Sequence, residues 1–130
     1  MSAERAIERF LQKASGDPAV LAVILFGSRA RGENVPGSDV DICLVLAGAV
    51  TRRLEFSEKK LEYLALGGLD VHVFQQLPLY VRQRVLAQGK VLHVKDADRL
   101  YEVAFRTIRA FEDFRHEYIE YLKAVSHAGS

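Results

Sequence analysis

A single cysteine, Cys43, is the first scarcity in this chain. One thiol excludes an internal disulfide and any cysteine-based zinc cage, which is compatible with a reducing compartment. A long hydrophobic run is missing too. The longest, Ala19 to Phe26, is eight residues, against the roughly 20 that a membrane-spanning helix needs. The N-terminal segment carries acids and no apolar core run, so no secretory signal is expected. Net charge is nearly absent: 18 Lys and Arg stand against 17 Asp and Glu, leaving +1. Such a chain has no global pull toward nucleic acid or an anionic membrane surface, and a polyanion must be held by a local cluster. Neither direct nucleic-acid binding nor membrane association is expected, and the cytoplasm is the expected location. Repeats and low-complexity tracts are lacking as well.

What is present is ordinary for a globular protein: 49% hydrophobic and 27% charged residues. A length of 130 residues suffices for one core burying roughly two thirds of the unfolded surface, so a single domain, 1–130, is expected. Residues 3–14 carry Ala3, Ile7, Phe10, Leu11 and Ala14 at helical spacing and stop at Gly16-Asp17-Pro18. The continuous apolar, β-rich run 19–26 predicts a strand buried on both faces. Gly27-Ser28 ends it, with Ser28 suited to cap a short helix over Arg29 to Gly32. The turn-rich segment 33–38 leads to a second strand, 39–46. Helical period returns over 52–66 and is halted by Gly67-Gly68. A third strand over 69–74, a short helix over 79–88 and a fourth strand over 90–94 follow. The last helix is expected from about 98 to about 125, with a frayed tail at 126–130.

Strand, fifteen-residue crossover and strand make a βαβ unit, so strands two and three should lie parallel. Asp39 and Asp41 open strand two, and Asp70 opens strand three. If the strands are neighbours, the three carboxylates meet at one end of the sheet. Should strand one end at the same place, it runs antiparallel to strand two and brings Gly27-Ser28 along.

Asp39 and Asp41, two apart on a strand, point to one face. Their mutual repulsion at a partly buried sheet edge calls for neutralisation. Hard oxygen ligands suit magnesium, or manganese, and a third carboxylate completes what a two-ion phosphoryl-transfer site needs. Glycine at 27 permits close backbone approach, and a helix start beyond it offers N–H groups to phosphate oxygens. Ser28 adds a hydroxyl, and Arg29 and Arg31 add charge. Each piece has a plainer reading: an ordinary strand-to-helix turn, a solvated acidic pair, a strand-entry aspartate. Those readings give no reason for convergence.

Gly27-Ser28, ten intervening residues, Asp39-x-Asp41 and the later strand acid Asp70 resemble the DNA polymerase β-type nucleotidyltransferase superfamily. The chain is more closely similar to the minimal nucleotidyltransferase (MNT) proteins, the partners of HEPN-domain proteins. The motifs lie within about 15–95. This resemblance implies an α/β (α+β) nucleotidyltransferase fold, a mixed sheet of about four strands flanked by helices, with a long C-terminal helix. It implies Mg2+ (or Mn2+), ATP as substrate, and AMP transfer to a tyrosine hydroxyl of a HEPN ribonuclease toxin, the antitoxin role in a type VII-like pair. Gly27, Ser28, Arg29 and Arg31 would hold the nucleotide. Asp39, Asp41 and Asp70 would bind metal and serve catalysis, with Asp70 also helping to deprotonate the acceptor. Two alternatives stand beside this: a small-molecule, aminoglycoside-type nucleotidyltransferase, and a non-catalytic antitoxin that occludes its partner.

Other residues are read as structural. His72 shares the face of Asp70 and is assigned to the layer beneath the site, although a strand spacing would let it reach the carboxylates. Cys43 is a small buried hydrophobe. Arg82 and Arg84 are taken as a solvated helix face, a basic patch with Arg29 and Arg31 being the alternative. The last helix is heavily aromatic, and Phe111, Phe114, Tyr118, Tyr121 and Val125 form one stripe. Its apolar surface exceeds one face, so the excess either packs on another chain, such as a second copy or a partner, or is absorbed by the core.

Overall fold

The computed structural model describes residues 2–27 and 40–128. Among them the order is α1 (Ala3–Ser15), β1 (Val20–Phe26), β2 (Asp41–Leu46), α2 (Arg53–Leu64), β3 (Asp70–Val73), a 3-10 turn over Phe74–Gln76, α3 (Leu79–Gln88), β4 (Lys90–Val94) and α4 (Ala97–Ala128). Ser2 caps α1, its hydroxyl accepting from the Arg5 N–H at 3.3 Å. The buried line of this helix is Ala6, Phe10 and Ala14, so its inward face lies one step round from Ala3 and Ile7.

The strands form one mixed sheet in the order β3-β2-β1-β4. β2 and β3 are parallel, as a helical crossover requires, while β1 is antiparallel to both β2 and β4. Alternation along the strands divides the core in two. Phe10 and Tyr63, from α1 and α2, pack with Val23, Ile42, Leu44, Val71 and Val73. On the opposite face Ile24, Cys43 and Val45 meet Phe74 and Val85, with Val81, Leu100 and Val103 alongside. β1 feeds both clusters, which is why its sequence is apolar without alternation.

Most boundaries differ from expectation by a residue or two, and three of the differences bear on the site or on α4. β2 begins at Asp41 and β3 ends at Val73, because Phe74 turns into the 3-10 segment and buries its ring under β2. The helix α4 is longer than expected, continuing through Ser126 and His127 to Ala128 where fraying was expected. Among its residues with described side chains Thr107 alone is buried, and from Glu112 through His127 every position is exposed. No described helix is long and apolar enough to cross a membrane.

Candidate metal and nucleotide site

Two strand starts and one strand end meet at a single corner. Asp41 and Asp70 are register partners in the parallel β2–β3 pair, and Phe26 at the end of β1 is the antiparallel partner of Asp41. The Asp70 N–H donates to the Val40 carbonyl at 2.9 Å, anchoring the start of β3. Period two puts Asp41 on the face of Cys43, and Asp70 on the face of His72. That is the side covered by α3 and α4.

His72 belongs to this corner, not to a layer beneath it. Its Nε2 stands 3.4 Å from Asp41 Oδ1 and 3.3 Å from Asp70 Oδ2. Neither approach has hydrogen-bond geometry, and Nε2 is sealed from solvent without a partner. The Phe26 ring meets the imidazole edge to face at 5.4 Å, holding its orientation. One ligand atom from each of Asp41, Asp70 and His72 lies within 4.8 Å of the others. Burial, then the shared proton and charge of Asp70, push the Asp41 carboxyl above its ordinary value, and the closeness of His72 only partly offsets this. Two carboxylates and an orphaned imidazole nitrogen aimed at one point suit a divalent cation.

Gly27 has a sharper reason than close approach to a ligand. Its φ is +81°, and a Cβ there would stand 2.6 Å from Asp41 Oδ2. Glycine is therefore what leaves room for the carboxylate itself. Beside it a small cavity of about 150 Å³ is lined by Phe26, Gly27, Val81, Arg84, Val85 and Gln88. Ser28, Arg29, Arg31 and Asp39 lie outside the described residues.

The two arginines of α3 separate. Arg84 is exposed and lines the cavity beside Gly27. Arg82 departs from the solvated-face expectation: it is half-buried, and its Nε donates to the Leu77 carbonyl at 3.1 Å. It lines a second cavity, with Leu46, Gln75 and Arg106, at the far end of β2. His72 was the residue that sequence reasoning assigned to the layer beneath, with reach of the carboxylates only as the alternative. Its parity with Asp70 was legible, but the tilt of the ring back toward the strand start was not.

Sheet order, the crossover and the corner acids are those of a nucleotidyl-transferring fold. The chain belongs to the polymerase β nucleotidyltransferase family, whose pattern it matches over residues 6–98. It is also 36% identical over 74 residues to a Methanocaldococcus jannaschii protein named as a candidate protein adenylyltransferase. That match covers 56% of this chain and 55% of the relative, so the chain spans about half the length of the curated relative it matches. Among solved structures it resembles a chain of a toxin–antitoxin complex with AMP-PNP, with a TM-score of 0.67 at 23% identity, covering 94% of this chain and 97% of that one. A complex of tri-AMPylated Shewanella oneidensis HEPN toxin with MNT antitoxin gives 0.62 at 21% identity, with 95% of each chain covered. At these identities the likeness concerns the fold.

Proposed function

We propose that this protein is a Mg2+-dependent (or Mn2+-dependent) adenylyltransferase that moves AMP from ATP to a tyrosine hydroxyl of a HEPN-domain toxin, and so acts as its antitoxin. The observation carrying this reading is the convergence of Asp41, Asp70 and His72 beside Gly27 in a chain of the polymerase β nucleotidyltransferase family. The relative named for protein adenylylation, and neighbours that are toxin–antitoxin complexes, one with an AMPylated toxin, support the acceptor class.

In this reading Asp39, Asp41 and Asp70 hold the cation. When bound, the cation supplies charge neutralisation and polarisation of the phosphoryl oxygens. Gly27 keeps the backbone close to the triphosphate, the Ser28 hydroxyl donates to it, and Arg29 and Arg31 add positive charge. The acceptor oxygen attacks the α-phosphorus while the bond to the bridging oxygen of the β-phosphate breaks, and pyrophosphate leaves. Asp70 takes the hydroxyl proton. The exposed aromatic stripe of α4 is the surface we assign to a partner chain, either the toxin or a second copy of this protein. The cytoplasm is the proposed location.

The test is mass spectrometry of a HEPN-domain partner incubated with this protein and Mg-ATP. Gain of one or more AMP units on tyrosine is the expected result, abolished by a chelator and by Asp41→Asn. A partner that stays unmodified with every nucleoside triphosphate, yet is neutralised by the Asp39→Asn/Asp41→Asn variant, would overturn catalysis in favour of occlusion.

A further inference from the structure

Resting on the metal site of that reading, we infer that His72 is itself a metal ligand, and that Asp41, Asp70 and His72 form a mixed oxygen–nitrogen set favouring a divalent transition ion such as Mn2+ over Mg2+. The argument begins with the orphaned Nε2. A buried polar atom without a partner is costly, and here it faces two carboxylate oxygens at 3.3 and 3.4 Å without hydrogen-bond geometry to either. Those separations match the spacing of ligand atoms around one ion as well as they match ion pairs. With bonds of about 2.1 Å, adjacent ligands are about 3.0 Å apart in an octahedron and about 3.4 Å in a tetrahedron.

Three features hold the ring in place before any ion arrives. Strand β3 sets its parity with Asp70, the register places it one strand from Asp41, and the edge of Phe26 limits its rotation. Gly27 removes the one side chain that would push Asp41 away. Imidazole suits first-row transition ions such as iron, nickel and zinc, and the affinity of a nitrogen-containing site rises from manganese, at the start of that series, toward copper. Magnesium takes oxygen ligands and keeps much of its water. A nitrogen in the set therefore biases the site away from magnesium, which three carboxylates alone would not do.

The experiment uses the full chain stripped of metal and loaded with Mn2+, in the absence of ATP and acceptor. Pulsed electron paramagnetic resonance is expected to show coupling to a directly bound imidazole nitrogen. In His72→Gln that coupling should vanish, and Mn2+ affinity should fall by at least about tenfold, a loss known even for outer-shell changes. Mg2+ affinity should change much less. The chain has four histidines, so a variant with His93, His116 and His127 replaced by Gln keeps the question answerable if His72→Gln does not fold: it should retain the signal. Wild-type Mn2+ without nitrogen coupling, or His72→Gln with unchanged coupling and affinity, overturns the inference. Failure of AMP transfer with every acceptor would refute the proposed reaction and leave this spectroscopic result standing.

Discussion

Gly27 holds a backbone conformation that L side chains rarely adopt, and its missing Cβ is the space filled by the Asp41 carboxylate. Gly27→Ala therefore meets backbone strain, at about 1–3 kcal/mol for a non-glycine residue there, and a clash with a proposed metal ligand. AMP transfer should fall about 100-fold, the scale of a misplacement of about 1 Å at a reacting centre, with the circular-dichroism spectrum unchanged. Asp41 invites a second prediction. Its carboxyl is raised by burial and by Asp70, so the stability tied to it is complete below the ordinary aspartate range and is lost as pH rises through the elevated value. In a chelator at neutral pH, Asp41→Asn should melt a few degrees higher than the parent while losing activity. Both residues were legible as candidates in the sequence, but their contact was not. The glycine and the aspartate are fourteen positions apart, and only strand pairing makes one the lid of the other.

Elements are tied together by a residue whose sequence role looked modest. Asp17, expected only to end α1, is the hub between that turn and α2. Its Oδ2 accepts from Lys59 Nζ and from the Tyr63 hydroxyl, each at 2.9 Å, and its Oδ1 accepts from the Ala19 N–H at 3.0 Å. Lys95 Nζ donates to the Asp17 carbonyl, adding the residue just after β4 to the same knot. Burial alone would raise the Asp17 carboxyl, but Lys59, the Ala19 N–H and Tyr63 together hold it below its ordinary value. The stability it contributes is thus present above about pH 4, the unfolded value, and is lost as pH falls through the lower native one. Asp17→Asn should cost about 1.5–3 kcal/mol in neutral denaturant melts, as for hydrogen bonds to a charged group, and the cost should shrink in acid. Helical periodicity pointed to both α1 and α2, because each is locally encoded. A carboxylate that joins them across 42 positions leaves no periodic trace.

For the whole molecule, α4 poses the remaining question. Its first part lies against α3 and the sheet, with Thr107 buried, while Phe114, Tyr118, Tyr121 and Val125 are each more than half exposed beyond it. The core therefore does not absorb this part of the aromatic excess. Tyr121→Glu should therefore leave the melting temperature almost unchanged, within the roughly 0.5 kcal/mol typical of surface substitutions. The same change should weaken association with the partner or with a second copy, measured by light scattering. An unchanged assembly would show that this stripe is not the interface.

Sequence alone determined the element order, the crossover that makes β2 and β3 parallel, and the candidacy of Gly27, Asp41 and Asp70, since periodicity, turn residues and strand parity are local properties. It also carried enough of the spaced motif to point to the family. Tertiary structure decided what is non-local. It set the position of β4 at the edge beside β1, the splitting of Arg82 from Arg84, and the packing of one face of the first part of α4, by Leu100, Val103 and Thr107, with exposure of the rest. Above all it turned His72 toward the two carboxylates, because a side chain's rotamer and neighbours depend on packing that no single strand encodes.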